Sequence, residues 1–128
     1  MNFTQFGKWL FILPFAVFGL LHFGPLEYTL PYVPEFLPLP SFWIYFSGLG
    51  LLAFCLSAML GKLDRLAAYL LALMLLLFVA IIHIPGAIQG DFVQLIGIFR
   101  DTAMAGAALL YAEFVARDSS LTFTNHPA

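Results

Sequence analysis

Four long apolar segments separated by short polar breaks set the plan of this chain. The first, Trp9 to Phe23, reads WLFILPFAVFGLLHF. Extended back to Gln5 or forward to Pro25, it approaches the roughly 20 residues needed to cross a hydrocarbon core. The others run from about Ser41 to Leu60, from Leu66 to Ile84 and from about Phe92 to Val115. None alternates with the two-residue period of a barrel strand, and only helices or a closed barrel satisfy the backbone in lipid. The pattern predicts an all-α protein: a four-transmembrane-helix bundle over residues 1–118, followed by a polar C-terminal tail at 119–128.

Composition agrees. Charged residues make up 9% of the 128 and hydrophobic ones 62%, where a soluble domain carries about 25% charged. Membrane lipid is the expected surrounding partner. A formal charge of −2 supplies no basic face for nucleic acid. The lone Cys55 rules out an intramolecular disulfide, a CxxC pair and a cysteine-rich metal site, and reads as a small core residue.

Charge also orients the spans. Lys8, then Lys62 with Arg65, then Arg117 fall on one side, while the intervening loops hold only Glu27, Glu35 and Asp91. Basic residues favour the cytoplasm, so both termini are expected inside, in a multi-pass protein of the inner (plasma) membrane. No small-x-small cleavage pattern follows the first segment, which is therefore expected to be retained. Asp64 and Asp91 read as helix-start caps, and Glu113 with Arg117 as an i,i+4 pair.

The proline-rich loop from Gly24 to Pro40 is expected on the extracytoplasmic side, between helices one and two. Pro25, Pro31, Pro34, Pro38 and Pro40 preclude regular helix there, while Tyr28, Tyr32, Phe36 and Leu39 make the loop too apolar to float in water. It reads as a cap over the bundle, with Trp43 and Tyr45 as belt residues, or alternatively as a plain stiff connector. Gly48, Gly50 and the small residues from Ala103 to Ala112 offer faces for close packing, within the bundle or between two copies in a homo-oligomer.

The scarce polar residues of the spans share a depth. His83 lies roughly 27 Å beyond Arg65, His22 roughly 21 Å beyond Lys8, and Asp101 roughly 24 Å before Arg117, at 1.5 Å per helical residue. Arg100 is one step further out. Ionisable groups are costly in lipid, so a shared internal site is the natural place for them. An imidazole exchanges protons near neutral pH, Asp101 can orient one, and Arg100 can neutralise that carboxylate or grip an anionic or carbonyl-bearing ligand. Each histidine also has a structural reading, as a helix-end cap or a partner for a backbone carbonyl. His83 precedes Ile84-Pro85-Gly86, a natural helix exit. The strings LLHFGP and IIHIPG further hint at a parallel internal repeat.

The segments FGLLHFGP (18–25), VPEFLPLPSFWIYFSGLG (33–50) and GKLDRLAAYLLALMLLLFVAIIHIPG (61–86), followed by the span holding Arg100 and Asp101, together resemble the DoxX-like family of small four-helix membrane proteins. The pattern falls on His22, Pro34, Phe36, Pro38, Trp43, Arg65, His83 and Pro85. The resemblance implies four membrane helices and an association with quinone-linked oxidation of sulfur compounds or with membrane redox assemblies.

The leading expectation is an outer-leaflet cavity that binds a quinone-like or lipidic small molecule. His22, His83 and Asp101 would exchange its protons, Arg100, Trp43, Tyr45 and Phe36 would contact it, and a redox partner subunit would supply electrons. This reading expects no metal ligands, and quinone is its candidate cofactor. The alternative is a non-enzymatic scaffold or lipid-handling protein whose polar cluster locks helices together. A third reading has His22 and His83 holding a haem.

Overall fold

The computed structural model describes residues 1–118 and Ser120. The rest of the tail expected at 119–128, His126 included, lies outside the described residues. Four long helices, α1 (Phe3–Leu21), α2 (Pro40–Leu60), α3 (Asp64–Ile88) and α4 (Phe92–Phe114), are each long and apolar enough to span a membrane. A third or less of each is buried inside the protein. Leu10, Leu49, Leu70, Phe99 and Leu110 instead face outward, as a lipid solvent allows.

Helix starts and stops follow local chemistry. Asn2 caps α1 by accepting the Gln5 N–H at 2.9 Å. Helix α1 stops at Leu21, so His22 caps its end rather than lying within it. The chain then makes two 3-10 turns, Leu26–Tyr28 and Leu30–Tyr32, where the prolines forbid longer helix. Leu39 takes a left-handed conformation (φ 54°) immediately before Pro40, the first residue of α2. Proline disfavours α geometry in its predecessor, and the Trp43 indole donates to the Pro38 carbonyl at 2.8 Å, holding the bend. Gly61 (φ 66°) ends α2, with its N–H and that of Lys62 on the Ser57 carbonyl. Asp91 caps α4 through the Val93 and Gln94 N–H groups, as the sequence suggests.

Helix α3 departs from expectation. It does not exit after His83 but continues through Pro85 to Ile88, by way of a π turn at Val79–His83. Proline has no N–H and its ring crowds the carbonyl four residues back. Widening the preceding turn by one residue relieves that clash, with the Ile84 N–H reaching the Val79 carbonyl. The two His-containing strings therefore differ, one ending a helix and the other bulging one.

Helix α1 packs on α2, α2 on α3, and α3 on α4. Gly19 and Gly48 face each other where α1 crosses α2: a Cβ on Gly48 would lie 2.6 Å from the His22 Cβ and 3.1 Å from the Gly19 carbonyl oxygen. Ala68 and Ala72 of α3 meet Ala105, Ala108 and Ala112 of α4 in the core, while Ala103 and Gly106 face outward. Phe15 and Phe54 close the centre edge-to-face at 5.9 Å, and Phe54 meets Tyr111 at 5.7 Å. Cys55 is buried there, its Sγ 3.4 Å from the Ile12 carbonyl oxygen.

Near residues 64 and 118 the bundle is tied by buried Asp64. Its carboxylate does not cap its own helix. It accepts the Tyr111 hydroxyl at 3.2 Å and the N–H groups of Arg117 and Asp118 at 3.0 and 2.9 Å, joining the start of α3 to the end of α4. Tyr69 donates to Glu113 between the same helices, while the Arg117 stem lies against Gly61. Asp118 in turn accepts from Ser120 and from the Leu63 N–H, which hold its carboxyl down at about 2.

Gly48→Val should destabilise the protein by about 1–3 kcal/mol by forcing α1 from α2. Gly50→Ala, whose nearest neighbour would be the Met74 sulfur at 3.5 Å, should be near neutral. Thermal unfolding in detergent measures both, and equal midpoints for the two variants would contradict the packing argument.

Candidate functional site

Helices α3 and α4 are bridged inside the apolar bundle by a chain of polar groups. His83, on the π turn, places Nδ1 2.5 Å from Gln94 Oε1 and Nε2 2.9 Å from Asp101 Oδ2. Arg100 folds back so that its Nε donates to Asp101 Oδ1 at 2.8 Å. Gln94 and Asp101 are buried at 5% and 3% exposure, whereas the Arg100 side chain is half exposed.

Glycines make this bridge possible. A Cβ on Gly97 would fall 2.6 Å from His83 Nδ1, so the imidazole lies directly on the α4 backbone. A Cβ on Gly86 would fall 2.5 Å from Gln94 Cγ, so that side chain lies reciprocally on α3. Gln94, Gly97, Asp101, Ala105, Ala108 and Ala112 are all buried and follow one another at three- and four-residue steps. One face of α4 thus carries the polar partners at one end and the small packing residues at the other.

The protons follow from the partners. With the Gln94 amide oxygen toward the ring, Nδ1–H donates to it and Nε2 faces the Asp101 carboxyl group. With the amide turned over, Gln94 donates to Nδ1 and only Nε2–H faces Asp101. In both arrangements each ring nitrogen is engaged, leaving no lone pair for a haem iron. Among the described residues no cluster of His, Cys, Asp and Glu is arranged to hold a metal.

His22 stands apart from this bridge. Its Nδ1 lies 2.6 Å from the Phe18 carbonyl oxygen, one turn back on its own helix, which is the capping role open to it in sequence. It nevertheless borders the same cleft as His83, Gln94, Arg100 and Asp101. That cleft, about 630 Å³, opens where the α1–α2 pair diverges from the α3–α4 pair, beneath Tyr28, Tyr32 and Leu37 of the proline-rich loop. Phe15, Leu51, Leu75, Phe78 and Met104 make most of its wall apolar, and Ser47 and Trp43 add polar atoms. Tyr45 lies outside the lining and stacks on Phe23 at 5.5 Å. Phe36 also lies outside it and is 72% exposed.

Gln94, Gly97 and Ser47 escape a reading that looks only for ionisable groups. The spacing of Gln94 and Gly97 from Asp101 was the available signal, since all three lie on one helical face.

Comparison with protein-family models, curated proteins and solved structures finds no match. The fold and site define a small all-helical, multi-span membrane bundle with a buried polar network.

Gly97→Ala should displace the His83 ring and cost about 1–2 kcal/mol, the scale of a polar link between membrane helices. In a His83→Ala background the same change should cost almost nothing, because the methyl then has room. A double-mutant cycle from unfolding in detergent reads this coupling, and additive costs would separate Gly97 from the imidazole.

Proposed function

We propose that the protein is a non-enzymatic, lipid-handling membrane bundle, in which the His83–Gln94–Asp101–Arg100 chain locks α3 to α4 and the cleft above it accepts part of a lipidic molecule. The observation that carries this reading is the engagement of both His83 nitrogens within the protein. A proton donor for a ligand would keep one nitrogen directed into the cleft. The apolar wall suits an acyl or isoprenoid chain. Clustering of Lys8, Lys62, Arg65 and Arg117 supports placing the terminus-bearing end in the cytoplasm and the cleft toward the outer side of a plasma membrane.

A second reading is favoured by one specific observation: His22, His83, Arg100 and Asp101 all border the cleft. A quinone-like ligand there would exchange protons with the His83–Asp101 pair while a partner subunit supplied electrons, in keeping with the DoxX-like resemblance.

Decylubiquinone binding to the protein in nanodiscs, measured together with thermal midpoints, separates the two. The lipid-handling reading expects His83→Ala and Asp101→Asn to lower the midpoint by several degrees while quinone binding is weak and unchanged. A tenfold loss of quinone affinity at an unchanged midpoint would replace it with the second reading. Ser47→Phe, which narrows the cleft, should reduce the lipid that copurifies with the protein.

A further inference from the structure

At the opposite end of the bundle, a second pocket of about 280 Å³ lies between the first turns of α1, the end of α2 and the chain leaving α4. Thr4, Gln5, Lys8, Trp9, Met59, Val115 and Arg117 line it. Two of these are cations and none is acidic. Lys8 and Arg117 face the same cavity, and neither forms an ion pair among the described residues. The Lys8 ammonium stands 5.9 Å from the Tyr111 ring centre, and Arg117 passes over Gly61 with its Cδ and one edge of its guanidinium.

Two carboxylates lie nearby, but Asp64 is fully buried and taken up by Tyr111 and two backbone N–H groups, while Asp118, next to Arg117 in the chain, accepts from the Leu63 N–H and from Ser120. Asp64 offsets part of the positive charge from behind without closing the pocket. Like charges held around one cavity favour an anion between them. An ammonium beside a guanidinium fork matches the oxygens of a phosphate group, with the Thr4 hydroxyl and the Gln5 amide as further donors. The first turn of α1 adds the positive end of a helix dipole. Trp9, Met59 and Val115 supply apolar walls at the level where a membrane helix begins, the position of a lipid's glycerol and upper chain.

We propose that this pocket binds a phosphate group, carried by an anionic phospholipid. Basic pockets between helices at a membrane face hold lipid phosphates by this combination of charge and apolar contact. The site is independent of the outer cleft and of whatever occupies it.

The test is native mass spectrometry of the full chain released from mixed phosphatidylglycerol and phosphatidylcholine micelles with matched acyl chains. The wild type should retain phosphatidylglycerol preferentially. Lys8→Gln and Arg117→Gln should each reduce that preference about fivefold, the worth of one basic residue at an anionic surface, and together should remove it. Helicity and thermal midpoint in phosphatidylcholine establish that the variants are folded. The wild-type preference can be read even if one of them is not. Loss of the preference in millimolar inorganic phosphate would support the same phosphate chemistry with a free anion as its source. Equal retention of both lipids by the wild type, with no response to phosphate, would overturn the proposal, as would a preference that survives both substitutions.

Discussion

A buried carboxylate in a membrane-spanning helix must find its partners inside the protein, because hydrocarbon offers none. Asp101 finds them in His83 across the helix interface and Arg100 beside it on the same helix. Those contacts fix both the rotation of α4 and its height against α3. The rest of that half of the bundle depends on that setting. His83 reaches Asp101 because the π turn adds a residue to α3 before Pro85, and because Gly97 lets the imidazole lie against the α4 backbone. A helix without the bulge would present His83 on another face.

A second polar tie fixes the other end of the same pair. Asp64 joins the start of α3 to the end of α4 through one hydroxyl and two backbone donors. Between the two ties Ala68 and Ala72 lie with Ala105, Ala108 and Ala112 in the core, and such small side chains let the backbones approach closely. The α1–α2 pair is closed differently, by Gly19 against Gly48 beside the cap residue His22. The two pairs share the aromatic centre of Phe15, Phe54 and Tyr111 and separate beyond it, and that separation is the cleft. The cavity is thus a consequence of how the pairs are fastened.

Much of this was legible in the text of the chain. The four spans, the capping role of Asp91, the core placement of Cys55 and the scarcity of charge in the spans follow from composition and local rules. His83, Arg100 and Asp101 share a depth in the spans, and the structure joins them in one chain of hydrogen bonds. His22 lies at a similar depth, but the Phe18 carbonyl one turn back offers that imidazole a partner without crossing to another helix. The third span reads as ending at Ile84, before Pro85, because rules for proline describe regular α-helix and do not anticipate a turn widened by one residue. Gln94 went unremarked because it carries no charge, though hydrocarbon penalises an unpaired amide as well.

The sequence by itself determined the number of helices, their apolar exteriors and the short list of polar residues that needed partners. Those properties depend on hydrophobicity and backbone bonding within single segments. Only the tertiary structure decided which partner each polar group took, which faces of α3 and α4 meet, and where the pairs part to leave a cleft. Such choices depend on steric fit between segments distant in the chain. An imidazole resting on Gly97, or Asp64 reaching the end of α4, is set by contacts that no local pattern encodes.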